Sequence, residues 1–122
     1  YVNQDYGQPT AHLHRYSFRL DGLASVRARL AGGTLVTKPI VLSGQPLKLN
    51  FATSAAGGIR VEIQDADGKV IPGFELGNCV ELIGNEIARA VSWKAADVKS
   101  LAGRTVKLRY QLSDADLYAM EF

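Results

Sequence analysis

The sequence predicts an all-β domain, built as an antiparallel two-sheet β-sandwich with a jelly-roll-like course. Three observations predict it: apolar and polar residues alternate along most of the chain, helical spacing is scarce, and glycine-containing turns separate the apolar runs. Alternation gives each strand one buried and one wet face, which is the pattern of packed antiparallel sheets. The length suits one domain, so we expect a single sandwich over residues 1–122.

Runs of alternating residues predict the individual strands. The clearest are 47–52, 59–64 and 106–112, in each of which every second residue is apolar. One helical turn is predicted over 96–101, with Asp97 near its N-terminus. In chain order, the predicted strands cover residues 14–20, 23–30, 34–38, 47–52, 59–64, 69–71, 88–94, 106–112 and 115–122.

Glycine and aspartate mark the turns between these strands. The sequence Asp-Ala-Asp-Gly-Lys at 65–69 predicts a hairpin. The Ala-Gly-Gly sequence at 56–58 predicts another turn, because glycine adopts backbone conformations that other residues avoid. A third turn is predicted at 113–116, where two aspartates flank an alanine.

Composition excludes several classes of function. The net charge is +2 with both signs interspersed, so we expect no nucleic-acid partner, which would need a clustered basic face. No apolar run approaches the ~20 residues that span a bilayer, so we expect no membrane partner. The single cysteine, Cys79, rules out an internal disulfide. Because Tyr1 is not a methionine, we expect a piece of a longer protein, with any secretion signal upstream.

The sequence shows no catalytic arrangement, and we expect no enzyme activity within these residues. His12 and His14 share a face of one strand, but no Gly-x-Ser-x-Gly sequence occurs and Cys79 has no motif around it. No predicted strand carries two inward acids, as glycoside hydrolysis would require. The two histidines could contribute to a metal site, but the sequence indicates no third ligand. The alternative is that they lie at a sheet edge or at a contact with another domain.

A structural calcium ion is the one cofactor that the acidic residues leave open. The sequence at 65–68 resembles the start of a calcium loop, but no further oxygen ligands follow, which favours the hairpin. Because many sandwich domains hold one such ion, Asp21, Asp114 and Asp116 are candidate ligands. Asp114 and Asp116 also suit a turn.

The aromatic residues favour a core role over a binding role. Trp93 shares its parity with Ile87 and Val91, and Tyr110 and Tyr118 alternate with apolar neighbours, so all three are predicted to be buried. An exposed aromatic platform for stacking on a sugar ring is therefore not evident.

Polar residues on three predicted strands are the candidate binding surface. If these strands are neighbours, they form a basic, amide-bearing patch suited to sulfate or uronate groups of a polysaccharide. The alternative is an ordinary solvated sheet face of mixed charge. Within the patch, the candidate ligand-binding residues are Arg60, Arg109, Lys48 and Gln64. The whole set is Lys48 and Asn50, Arg60, Glu62 and Gln64, and Lys107, Arg109 and Gln111.

Several segments spread over the chain resemble one type of bacterial domain. They include Tyr6-Gly-Gln-Pro9, His12-Leu-His-Arg-Tyr16, Gly33-Thr-Leu-Val-Thr-Lys-Pro39, Ile71-Pro-Gly-Phe74, Val91-Ser-Trp-Lys94 and Asp114-Ala-Asp-Leu-Tyr118. Together they resemble the C-terminal β-sandwich that follows the propeller of glycosidase-like proteins in planctomycete and related bacterial genomes. Those proteins are similar to fructan hydrolases and arabinosidases with a five-bladed catalytic propeller.

The resemblance implies a non-catalytic accessory module of a secreted or periplasmic glycoside hydrolase, with a sandwich of the concanavalin or carbohydrate-binding type. The catalytic carboxylates would belong to the propeller, and residues 1–20 would form the junction with that upstream domain. Two roles stay open: binding polysaccharide through one sheet face, or a purely structural role in packing against and stabilising the propeller. The resemblance carries no sugar-contacting residue onto this sequence.

Overall fold

The structure, a computed structural model, describes residues 24–122 and the backbone of 2–4 and 12–14. Apart from the backbone of His14, the predicted strand at 14–20 lies outside the described residues, as does Asp21. The described part is mostly antiparallel β-structure, which confirms the all-β prediction. Its strands are β1 (Val2–Gln4), β2 (His12–His14), β3 (Val26–Ala28), β4 (Gly33–Val36), β5 (Ile40–Val41), β6 (Lys48–Asp65), β7 (Asn85–Ala90) and β8 (Thr105–Glu121).

Two long strands, β6 and β8, form the centre of the main sheet. They pair antiparallel with each other along most of their length. The other edge of β8 is covered in turn by β3, β4 and β5. On the other edge of β6, β7 pairs with the first part of the strand, from Lys48 to Ala52. A separate two-stranded sheet joins β1 to β2. The helical turn expected at 96–101 is present as a 3₁₀ turn at Val98–Leu101, with the Asp97 carboxylate accepting a hydrogen bond from the Lys99 backbone N–H at 3.0 Å.

The turn predicted at 113–116 is wrong, because β8 continues through it with a bulge. Asp114 has a φ of +39°, a left-handed conformation that aspartate tolerates better than most residues. An extra residue in one strand shifts the inward-facing positions by one. Val106 to Leu112 bury their even-numbered side chains, whereas Ala115 and Leu117 are buried beyond the bulge. The predicted burial of Tyr118 is therefore wrong, and that side chain is half-buried.

The turn predicted at 56–58 is also wrong, because β6 passes through these glycines without reversing. Thr53 pairs with Ala115 and Gly58 pairs with Ser113, so four residues of β6 lie opposite Asp114 alone. At Gly57 an added Cβ would lie 2.4 Å from the Ser113 carbonyl oxygen. Glycine is needed here for the close approach of two backbones, which is one of its roles inside strands.

The hairpin predicted at 65–69 is confirmed. The Asp65 carbonyl accepts from the Gly68 N–H at 3.0 Å, and the Asp65 N–H donates to the Lys69 carbonyl at 2.7 Å. Gly68 has a φ of +87°, as such a turn requires. The Asp65 carboxylate accepts from the N–H groups of Asp67 and Lys69, both at 2.9 Å, so it closes the turn. Beyond the hairpin, the predicted strand at 69–71 is reduced to one bridge between Val70 and Gln64.

The core contains Tyr110 and Trp93, as the alternation predicts, whereas Ile87, which was expected to share the buried side with Trp93, is 51% exposed. The Trp93 indole N–H donates to the Val61 carbonyl at 2.9 Å, and its ring meets Phe74 edge-on at a centroid distance of 5.3 Å. The Val61 N–H donates to the Cys79 Sγ at 3.3 Å. Both backbone groups of Val61 are therefore bonded to side chains. They lie on the edge of β6 between two isolated bridges, one from Ile59 to Leu82 and one from Gln64 to Val70. The buried hydrophobic set is Ala28, Leu42, Leu47, Leu49, Phe51, Ile59, Val61, Ile63, Ile71, Phe74, Cys79, Leu82, Val91, Trp93, Val98, Leu101, Val106, Leu108, Tyr110, Leu112, Ala115 and Leu117.

Burial of two ionisable core groups predicts a loss of stability in alkali. Burial raises the pKa of the Tyr110 hydroxyl and the pKa of the Cys79 thiol, because each neutral form is favoured inside the protein. Their contribution to the free energy of unfolding is complete below the ordinary pKa of each group. It falls as the pH rises above about 9 for the thiol and above about 10 for the hydroxyl.

Urea unfolding at about pH 7.5 and about pH 10.5 measures this effect, since the second value lies above both ordinary pKa values. Tyr110→Phe should reduce the loss between the two pH values, because phenylalanine has no proton to release. An equal loss in the wild type and in Tyr110→Phe would contradict the prediction for Tyr110.

Candidate ligand-binding face

The polar side chains of β6 and β8 lie side by side on the face of the sheet opposite the core. In the register of the two strands, Arg60 pairs with Gln111, Glu62 with Arg109, and Gln64 with Lys107. The strands that carry these residues are thus neighbours, as the predicted patch required. Across the other edge of β8, Thr34 pairs with Gln111 and Val36 with Arg109. We call this set of eight residues from β4, β6 and β8 the outer face.

Lys48 and Asn50, which also belonged to the predicted patch, lie in the other half of β6. They pair with Glu121 and Ala119, on the far side of the bulges in both strands. Asn50 is buried. The structure therefore brings together Arg60, Arg109 and Gln64 and places Lys48 apart from them.

A carboxylate accompanies each arginine of the outer face. The Arg109 Nη1 lies 3.4 Å from the Glu62 Oε1, which also accepts a hydrogen bond from the Gln64 side-chain amide at 2.9 Å. Glu62 is 5% exposed, so these donors satisfy a buried carboxylate. The Arg60 Nη2 lies 3.7 Å from the Glu81 Oε2, and both of these side chains are more than one third exposed. The outer face is consequently of mixed charge.

Glu81 is the functional candidate that the sequence did not indicate. It belongs to no strand and has no alternating neighbours. The bridge between Ile59 and Leu82 brings it beside β6. No spacing rule links residue 81 to residue 60, so only the fold shows that the two are neighbours.

A cleft of about 440 Å³ opens at one row of the outer face, formed by Thr34, Gln111 and Arg60. Its size lies within the range of about 300–1,000 Å³ that is usual for small-molecule sites. Its lining combines hydrogen-bond donors and acceptors with glycine backbone, and includes Gly32, Thr34, Gly58, Arg60, Glu81 and Gln111.

Two of the three aspartates considered for calcium, Asp114 and Asp116, lie in β8, and Asp21 lies outside the described residues. Asp114 lies in the bulge of β8, where its N–H donates to the Arg29 carbonyl at 3.0 Å. The Asp116 carboxylate accepts from the Ser25 hydroxyl at 2.9 Å. Calcium takes six to eight oxygen ligands. Within residues 24–122, no group of three or more histidine, cysteine or acidic side chains is placed to hold a metal ion.

Neither protein-family models, nor curated proteins, nor solved structures give a match to this chain. In the described residues, no helix has the length and apolar character to cross a bilayer.

Proposed function

We propose that this chain is a non-catalytic accessory module of a glycoside hydrolase and that it binds polysaccharide through the outer face. The observation that carries the proposal is the row formed by Thr34, Gln111 and Arg60 on three neighbouring strands, which lines a cleft of about 440 Å³. The resemblance to propeller-linked sandwich domains of bacterial glycosidase-like proteins supports the same role. A secreted or periplasmic parent enzyme is part of the proposal.

The chemistry of the row suits sugar hydroxyl groups. Each hydroxyl both donates and accepts a hydrogen bond, so its binding site needs both kinds of partner. The Arg60 guanidinium supplies donors, the Glu81 carboxylate supplies acceptors, and the Gln111 amide supplies both. The next row, with Arg109 and Glu62, lies two residues away along each strand, at a distance of about 7 Å. A polymer lying along the strands would therefore meet both rows.

We also propose that the main sheet folds back on itself as two packed layers, in a jelly-roll-like sandwich. The link between Val41 and Lys48 can span at most about 25 Å, yet these residues pair with opposite ends of β8, at Thr105 and Glu121. A straight strand of that length would extend for about 55 Å, which supports a bend in β8, and we place this bend at the bulges. The short segment from Val91 to Trp93 supports this, since it bonds to Leu47, directly before the start of β6, and to Val61, beyond the bulge of that strand.

Binding of soluble polysaccharide to this chain, measured by isothermal titration calorimetry, tests the proposed function. Inulin and arabinan are suitable neutral probes, and dextran sulfate and polygalacturonate are suitable anionic probes. Arg60→Ala should weaken binding by about tenfold, the effect of losing one good charge-assisted contact. The melting temperature should stay unchanged, because the Arg60 side chain is exposed and its ion pair is long.

Arg89→Ala is the matched control, since Arg89 is also exposed and paired with a glutamate, but on β7. Equal weakening by both substitutions would contradict a specific role for the cleft. An absence of binding to all four polymers would remove the proposed function.

A purely structural role is the second candidate, and exposed apolar residues favour it. Val26, Leu30, Val36 and Val41 lie on or beside the short strands at the outer edge of β8, and each is at least 45% exposed. Exposed apolar side chains gathered along one edge are typical of surfaces that pack against another domain. This role predicts no affinity for sugar polymers, together with a gain in melting temperature when the upstream domain is joined to the chain.

A further inference from the structure

We infer that the cleft selects uncharged polysaccharide over sulfated or uronate-bearing polymer, and that Glu81 sets this selection. The inference rests on the proposed function and identifies the chemical class of its ligand. Its basis is the charge and position of the residue beside Arg60.

The charges of the cleft cancel within one pair of side chains. The Arg60 guanidinium and the Glu81 carboxylate lie 3.7 Å apart, and their side chains are 38% and 42% exposed. Both groups can therefore contact a ligand that enters the cleft. A sulfate or carboxylate group that approached Arg60 would also approach Glu81, and like charges at that distance repel. A neutral hydroxyl pair avoids this cost, because it can accept from the guanidinium and donate to the carboxylate.

The neighbouring row also pairs an arginine with a carboxylate. Arg109 lies beside Glu62, which is buried and held by the Gln64 amide as well. Because Glu62 is buried, an anionic polymer at this row would meet Arg109 with its charge already offset by that carboxylate. The charges of the two arginines that the sequence suggested for this surface are thus each offset by an acid, and Lys107, in the row beyond, is the remaining cation of the outer face.

Gly58 holds Glu81 in this position by leaving space for it. A Cβ added to Gly58 would lie 2.5 Å from the Glu81 Oε1, 2.8 Å from its Cδ and 2.9 Å from its Cγ. The Glu81 side chain therefore lies against the backbone of β6, in space that any other residue would fill. These are atoms of a flexible, exposed side chain, so Gly58→Ala should move Glu81 without changing the charge of the protein.

The test compares the affinities of the full chain for neutral and anionic polymers. The probes are inulin, arabinan and dextran on one side, and dextran sulfate and polygalacturonate on the other. The wild type should bind a neutral polymer and should bind the anionic polymers more weakly. Glu81→Gln should raise the affinity for dextran sulfate by roughly three- to fivefold, the effect of removing one exposed like charge. Gly58→Ala should change the affinity in the same direction.

Glu86→Gln is the control for net charge, since Glu86 is 42% exposed and paired with an arginine, as Glu81 is. It should leave the affinity for dextran sulfate unchanged. Stronger binding of the wild type to anionic than to neutral polymers would overturn this inference and leave the proposed function standing. Equal gains in Glu81→Gln and Glu86→Gln would overturn the role of Glu81. Failure to bind any polymer would remove the proposed function and this inference together.

Discussion

Trp93→Ala is expected to lower the free energy of unfolding by about 3–5 kcal/mol, the usual cost of truncating a large buried aromatic side chain. Trp93 is 7% exposed and packs edge-on against Phe74. Its loss would leave a cavity and would also leave the Val61 carbonyl without its indole donor. Urea unfolding followed by far-ultraviolet circular dichroism measures the change, since Trp93 is the single tryptophan and fluorescence would be lost with it.

Trp93→Phe separates packing from hydrogen bonding at this position. Phenylalanine keeps most of the ring contact with Phe74 and removes the N–H, so the expected loss is smaller, about 1–3 kcal/mol for an unpaired buried carbonyl together with a reduced ring. A near-neutral effect of Trp93→Ala on stability would contradict the core position of Trp93. It would indicate instead that the ring lies on a surface where it can bind a ligand.

Gly57→Ala is expected to lower the free energy of unfolding by about 2–3 kcal/mol, the upper part of the range for overpacked sites. The added methyl group would lie 2.4 Å from the Ser113 carbonyl oxygen and 2.6 Å from the Asp114 carbonyl oxygen. Both obstacles are backbone atoms of β8, so neither can rotate aside as a side chain could. The bulge must open for the substitution to fit, and the pairing of β6 with β8 would weaken there.

Gly77→Ala is the matched control for this prediction. An added Cβ at Gly77 meets no atom within 4 Å, and Gly77 is not among the glycines with positive φ. Thermal unfolding of both variants should show a clear decrease for Gly57→Ala and little change for Gly77→Ala. Equal melting temperatures would show that the backbones at the bulge are not in close contact.

The polar outer face could be predicted from the sequence because strict alternation decides which side chains share a face. Arg60, Gln64 and Arg109 lie on neighbouring strands, as the alternation of 59–64 and 106–112 required. The same argument failed for Lys48 because it assumed that the predicted strands 47–52 and 59–64 lie side by side, whereas both belong to β6 and follow one another along it. The bulge at Gly57 separates Lys48 from the others.

The bulges themselves could not be predicted from local sequence. Ala-Gly-Gly at 56–58 and Ser-Asp-Ala-Asp at 113–116 have the composition of reverse turns, and a local rule treats them as such. Their actual role follows from pairing with each other across the sheet, which is a long-range contact. Glu81 was missed for a similar reason, since it reaches Arg60 through the bridge of Leu82 to Ile59 and not through any strand of its own.

The central position of β8 has a consequence for how this chain folds. β8 is the hydrogen-bonded neighbour of β3, β4, β5 and β6, and its partners in β6 are more than 40 residues away along the chain. Such distant pairings must overcome a large loop-closure entropy, and proteins dominated by them fold in milliseconds to seconds. During synthesis, the four earlier strands would wait without their main partner until residues 105–121 leave the ribosome, with open edges that a chaperone could protect.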